Sequence, residues 1–274
     1  MYTKTELLAQ LHKMNAPRDR VVLMHSSLRT VGDVEGGGQG LLDTLIEYFT
    51  AEGGLFCVPT HTWGNVGKAD RVTLDLNVSE NNLGAFSQIA AADARGVRSE
   101  NPTHSMVVFG DRAKAETFVR DDAYITSPTA PNSCYGKIYE QGGFIFLVGV
   151  SQNRNTYLHC VAEMLQLPNR MAERSVSVSV RRTTGEIVRR ELAWYDQVTY
   201  GDVSLRFPKY ELPFRYHGAI TDGFLGDAPT QLCDAVIMKD TVERIFQRCE
   251  GKDPLRNEAP IPPKWYCGKA SQDN

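Results

Sequence analysis

The chain predicts an α/β fold, a parallel or mixed sheet with helices on both faces. Three observations carry that prediction. Apolar, β-branched runs alternate with amphipathic stretches through residues 1–170. Four of the runs have the length of buried strands: Val21-Val22-Leu23-Met24, Leu55-Phe56-Cys57-Val58-Pro59, Met106-Val107-Val108-Phe109-Gly110 and Phe144-Ile145-Phe146-Leu147-Val148-Gly149-Val150. Each adjoins polar residues: His25-Ser26-Ser27, Thr60-His61-Thr62, His104-Ser105 ahead of its strand, and His159 beyond the last run. Ligands of open α/β sheets bind at the carboxyl ends of the strands, so these clusters can converge on one rim.

The elements follow in order. Thr5 reads as a cap for a helix carrying Leu7, Leu8, Leu11 and Met14, which Pro17 ends. A glycine-rich turn over residues 32–40 leads into an amphipathic helix over 41–49. Residues 64–82 are polar and unpatterned, a long loop over the site. Helices are expected over 83–94 and 113–119, with a loop over 127–137. After the strand at Phe144, a helix opens near Asn155 and carries His159 and Glu163. Four residues apart, they share a face, separated by about 40°.

Past Pro168 the character changes. Segments 175–180 and 187–192 flank Thr183-Thr184-Gly185-Glu186 and predict a hairpin. A helix is expected near 234–246. The tail from Asp253 carries Pro254, Pro260, Pro262 and Pro263 and reads as an extended arm able to reach a neighbour in a homodimer.

The 274 residues, 42% hydrophobic and 23% charged, suit a single large domain. It divides into a core over 1–170 and a smaller β-rich lobe with the tail over 171–274. A net charge of -3 provides no bulk attraction to nucleic acid or an anionic membrane. Six scattered cysteines read as reduced thiols, with neither a disulfide frame nor zinc spacing. No signal peptide or membrane-length apolar run is present, which points to the cytoplasm.

Motifs narrow the chemistry further. There is no His-Glu-x-x-His or Cys/His ligand spacing, so no metal is expected. No Gly-x-Ser-x-Gly elbow occurs. The glycines at 36–40 lack the spacing of a dinucleotide or phosphate loop. General-base chemistry remains. A neutral imidazole, His159 or His25, can take a proton from a hydroxyl or ammonium group. Ser26 and Ser27 offer donors for a carbonyl oxygen or oxyanion. Taken by itself, His159 reads equally well as a core histidine at a helix start.

The residues also resemble a known family. Val22-Leu23-Met24-His25-Ser26-Ser27-Leu28 followed by Val31-Gly32-Asp33-Val34-Glu35-Gly36-Gly37 is similar to the opening signature of the aminoglycoside 3-N-acetyltransferases. The resemblance continues through Gly53-Gly54-Leu55-Phe56-Cys57-Val58-Pro59-Thr60, Leu83-Gly84-Ala85-Phe86 and Val97-Arg98-Ser99-Glu100-Asn101-Pro102-Thr103-His104-Ser105. Ser133-Cys134-Tyr135-Gly136-Lys137, Leu147-Val148-Gly149-Val150 and Thr156-Tyr157-Leu158-His159 complete it, in order, across residues 21–170.

This resemblance implies a three-layer α/β/α sandwich around a mixed, mostly parallel sheet, with a smaller β-rich C-terminal portion. It implies acetyl-CoA as donor, no metal, and the 3-amino group of a 2-deoxystreptamine aminoglycoside as acceptor, conferring antibiotic resistance. His159 is implied as the base, with His25 a second histidine at the reaction centre and Glu163 a catalytic candidate. The cofactor wall is implied to comprise Ser26, Ser27, Leu28, Val31, Gly32, Thr60, His104, Ser105, Ser133, Tyr135 and Lys137. Trp63, Asp75, Glu80 and Asp222 are the acceptor candidates, with Asp227 beside them.

One departure stands out. Relatives usually carry a glutamate three residues after the histidine, where Ala162 stands here with Glu163 as its neighbour. One residue is about 100° of helix rotation, so Glu163 cannot take the same place. Two other readings therefore stay open: an acetyltransferase for another metabolite amine, and a protein that binds the same ligands without turnover.

Overall fold

The computed structural model describes residues 1–199 and 201–268. Helix α1 (Lys4–Lys13) is capped by Thr3, not by Thr5. The Thr3 hydroxyl accepts from the Glu6 backbone while the Glu6 carboxylate accepts from Thr3 N at 2.8 Å, a reciprocal cap that satisfies two orphan donors. Then come β1 (Val21–Ser26), α2 (Leu28–Val31), α3 (Gly37–Thr50), β2 (Leu55–Pro59), β3 (Leu74–Asp75), α4 (Ala85–Ala92), β4 (Val97–Arg98), β5 (Met106–Phe109) and α5 (Arg112–Val119). The chain continues with α6 (Cys134–Glu140), β6 (Phe144–Val148), α7 (Tyr157–Met164), β7 (Met171–Arg181), β8 (Ile187–Tyr195), α8 (Glu211–Tyr216), β9 (Ile220–Leu225), β10 (Ala228–Asp234) and α9 (Ala235–Arg248).

Seven strands form the main sheet in the order β4-β5-β2-β1-β6-β10-β9. The sheet is mixed. Its parallel part is the centre, where β1 pairs with β2 and β6, and the outer strands pair antiparallel. Consecutive strand residues alternate between two apolar clusters, one on each face. Leu23, Cys57, Val108 and Ile145 face α5, α6, α7 and α9; Val22, Phe56, Val107 and Phe146 face α1, α3 and α4. Period-2 alternation with both faces apolar demands helices on both sides, which is the three-layer sandwich.

A second sheet of β3-β7-β8 stands apart. It is the expected hairpin, longer at both ends, with β3 from the 64–82 loop added in parallel through Leu74 and Asp75.

Three expectations are corrected. The chain does not divide at residue 170, because β9, β10 and α9 return to the main sheet and its core. Segment 127–137 is not all loop: Ser133 caps α6 by accepting from Tyr135 N at 3.2 Å. The tail through residue 268 is packed, not extended. Leu255, Ile261 and Tyr266 are buried, and Asp253 pairs with Arg170 inside the protein. Residues 269–274 of the expected arm lie outside the described residues. All six cysteines are free thiols, and no helix among the described residues is long and apolar enough to cross a membrane.

Candidate active site

A cavity of about 790 Å³ opens where β1, β2 and β6 end. Register explains why it gathers the polar clusters. Because β1 and β6 run parallel, with His25 opposite Leu147 and Ser26 opposite Val148, both chains leave the sheet at one rim. Strand β5 runs against β2, with Pro59 opposite Met106. The pairing continues outward through Thr60 N to Ser105 O at 2.7 Å and Thr62 N to Thr103 O at 2.9 Å. A cluster that precedes its strand thus joins clusters that follow theirs. Beyond β6, Gly149 adopts φ +62°, and a Cβ there would come within 1.8 Å of the Thr30 hydroxyl, so only glycine fits this turn.

His25, His61, His104 and His159 all line the cavity. His159, half-buried on α7, lies face to face with Tyr195 at a centroid distance of 4.5 Å and 27° between planes. Phe207 meets it edge-on at 4.9 Å. Neither imidazole nitrogen has a hydrogen-bond partner among the described residues. Burial holds its pKa down to about 4; Asp202 acts in the opposite direction, and Arg170 adds to the lowering.

The other three imidazoles are packed deeper. The His25 Nε2 is buried with no hydrogen-bond partner, and burial lowers that ring's pKa to about 3. His61 and His104 lie 4.6 Å apart, centroid to centroid. Tyr135 is shared between them: its hydroxyl is 2.8 Å from His61 Nε2 and 3.2 Å from the His104 carbonyl oxygen. Burial, reinforced by His159, holds His104 at about 3, and burial together with its histidine neighbours carries His61 well below its ordinary value. The site is therefore lined by neutral imidazoles.

Of the expected cofactor wall, Ser26, Ser27, Leu28 and His104 line the cavity. The others do not. Val31 is fully buried in the core, and Gly32, at φ +80°, lets Asp227 approach where a Cβ would stand 2.4 Å from its carboxylate. Thr60 and Ser105 turn to each other at 3.0 Å and to Arg98. Ser133 is a helix cap, and Tyr135 reaches the site only through His61 and the His104 carbonyl. Lys137 pairs with Asp121 at 2.6 Å beside residues at the opposite end of the sheet.

Glu163 is outside the cavity lining too. Its carboxylate accepts from the hydroxyls of Ser127 and of Thr129, the latter at 2.5 Å, and makes no bond to His159. Ala162 is buried in the apolar cluster.

Among the acceptor candidates only Trp63, 47% exposed, lines the cavity. Asp75 pairs with Arg181, Glu80 with Arg71 and Asp222 with Arg215, each away from it. Asp227 accepts from the Tyr2 hydroxyl at 2.6 Å. The carboxylates that do line it are Asp196 and Asp202, both beyond β8. Thr199 and the Val198 backbone, donating to Asp196, hold that carboxyl below the usual range. Two exposed arginines, Arg29 and Arg154, also line it.

His61 is a site residue that only its Thr60-His61-Thr62 cluster at a strand end marks in the sequence. Asp196 and Asp202 carry no sequence signal, because they lie in the connection that follows β8. Tyr195 ends β8 and Phe207 lies in a 3-10 helix over Val203–Tyr210, and only folding brings both against His159. No group of three or more His, Cys, Asp or Glu suited to a metal ion occurs among the described residues.

A family model described as aminoglycoside 3-N-acetyltransferase matches residues 23–247. Aminoglycoside N(3)-acetyltransferase IV of Salmonella sp is 25% identical over 173 residues, and the match spans 61% of each chain. Aminoglycoside N(3)-acetyltransferase VIII of Streptomyces fradiae is 24% identical over 275 residues, 91% of this chain and 93% of its own. In fold, the chain resembles a mutant of aminoglycoside acetyltransferase AAC(3)-IVa in complex with a gentamicin, with a TM-score of 0.75, 23% identity, and coverage of 97% of this chain and 94% of that one. It also resembles AAC-IIIb binary with CoASH, with a TM-score of 0.75, 21% identity, and coverage of 90% and 97%. Since the family model covers most of its length, the chain belongs to the aminoglycoside 3-N-acetyltransferase family.

Proposed function

We propose that this protein transfers the acetyl group of acetyl-CoA to the 3-amino group of a 2-deoxystreptamine aminoglycoside in the cytoplasm, giving antibiotic resistance. One observation carries the reading. A single cavity combines neutral imidazoles with two arginines, Arg29 and Arg154, and two carboxylates, Asp196 and Asp202. Few ligand pairs need both signs of charge at one reaction centre; a polyanionic CoA and a polycationic amine do.

The residues present fit the donor. Arg29 and Arg154 supply cations for its phosphates, and the buried, unpartnered Nε2 of His25 is a polar group awaiting a bound partner. Acetyl-CoA supplies the thioester-activated acetyl group. His159, neutral above about pH 4, takes the proton that the attacking nitrogen must lose; as the C–N bond forms the C–S bond breaks, and the proton goes to the departing CoA thiolate. Asp202 favours the imidazolium so formed, and Asp196 with Asp202 attracts the cationic acceptor. Ser26 and Ser27 offer donors for charge developing on the acyl oxygen.

The test is a CoA-release assay over gentamicin-like, kanamycin-like and simpler deoxystreptamine acceptors, with NMR of the product. Acceptor-dependent release and acetylation at the 3-amino nitrogen are the expected results. Acetyl-CoA turnover that no deoxystreptamine compound stimulates overturns the substrate assignment.

A further inference from the structure

Glu163 contacts no cavity group, yet it stands one helical turn beyond His159 and is tied back to it by another path. Its Oε1 accepts from the Thr129 hydroxyl at 2.5 Å and its Oε2 from the Ser127 hydroxyl. Thr129 Oγ1 also lies 2.8 Å from the Tyr195 hydroxyl. A threonine has one hydroxyl proton, and the carboxylate takes it. Tyr195 is therefore the donor in the second bond, and the protons run from Tyr195 to Thr129 to Glu163. The Tyr195 ring in turn lies 4.5 Å from His159, near parallel to it, and Phe207 closes another side at 4.9 Å and 69°.

This arrangement has a consequence for the imidazole. A general base is ordinarily oriented by a hydrogen bond from its second nitrogen to a carboxylate or carbonyl. His159 has no such bond among the described residues, so ring contacts alone set its plane. We infer that Glu163, Thr129 and Tyr195 form a positioning relay that fixes the plane of the His159 imidazole through the Tyr195 ring. The inference rests on the reading of His159 as the base. Glu163 is then a positioning residue and touches no reacting atom. The relay also joins α7 to the small sheet, since Glu163 is on α7 and Tyr195 ends β8.

Tyr195→Phe removes the anchoring hydroxyl and keeps the ring; Glu163→Gln weakens the acceptor at the other end. Each lowers kcat about tenfold, inside the 10²-fold that a misplaced group can lose, with the KM for acetyl-CoA unmoved. Because both break one chain, the double variant loses no more than the worse single. Losses that multiply, or a lowered Tm with kcat intact, overturn the relay. A second readout needs no turnover. In the free protein, both variants shift the ¹H–¹⁵N signals of His159 in the same sense and leave those of His25 in place. Unmoved His159 signals overturn the relay whatever the assay gives. Shifted signals in a protein that acetylates no aminoglycoside support the relay and instead reject the substrate assignment.

Discussion

The rings of His61 and His104 lie 4.6 Å apart, and the Tyr135 hydroxyl bonds to one ring and to the other residue's backbone. Two imidazoles this close cannot both be charged cheaply, and burial already disfavours either charge. With His25 and His104 both held at about 3 against an ordinary 6.5, the unfolded chain binds these protons first. The histidine contribution to stability is therefore complete above about pH 6.5 and is lost as pH falls toward 3. Tm measured from pH 7 to pH 4 should drop, and His104→Asn should make the drop shallower. An unchanged slope would show that this pair is not buried neutral.

Replacing His159 removes the proposed base and its ring contacts with Tyr195 and Phe207, but breaks no side-chain hydrogen bond among the described residues. His159→Ala should lower kcat on the order of 10²–10⁴-fold, the usual worth of general-base catalysis. CoA affinity measured by calorimetry should hold. Full turnover in this variant would take His159 out of the mechanism.

Asp202 is the carboxylate whose field favours a protonated His159, and it lines the cavity. It also caps the following turn, accepting from Ser204 N at 3.0 Å, a bond that an asparagine oxygen retains. Asp202→Asn should raise the acceptor KM and lower kcat, leaving the acetyl-CoA KM alone. Steady-state kinetics at two salt concentrations would check this, because a lost charge contact also flattens the salt dependence.

Ala162 is buried in the apolar cluster. A glutamate placed there buries a carboxylate beside Glu163, and an unsatisfied buried polar group costs on the order of 1–3 kcal/mol or more. Ala162→Glu is expected to lower stability in urea unfolding without raising the rate. A variant that gains rate at unchanged stability would return the orienting role to position 162.

Arg170 and Asp253 are both nearly inaccessible and bond through two nitrogens and two oxygens, with Nη2 to Oδ1 at 2.5 Å. Asp253→Ala breaks this buried, doubly bonded pair and should lower the urea midpoint.

Much of the N-terminal half was legible because its signals are local. Continuous apolar runs mark β1, β2, β5 and β6, and the polar residues flanking them mark the rim. The cap at Thr3 is legible as well, since Thr3 and Glu6 have capping-box spacing, whereas the helix that Ser133 caps is too short to show a period. Lys137 and Gly32 belong to the signature blocks, but side-chain direction decides which wall a residue lines. Lys137 points to the far end of the sheet, and Gly32 makes room for Asp227.

By itself, the sequence determined the layered α/β architecture and the concentration of histidines at strand ends. Periodicity and chain punctuation are properties of neighbours along the chain. Tertiary structure alone decided that Tyr195 and Phe207, from the far side of the hairpin, clamp His159, and that Asp196 and Asp202 are the acidic groups of the cavity. It decided as well that Glu163 bonds to Ser127 and Thr129 and makes no direct bond to the imidazole. Those relationships depend on how separate elements pack and on where each side chain turns, and neither is written in local spacing.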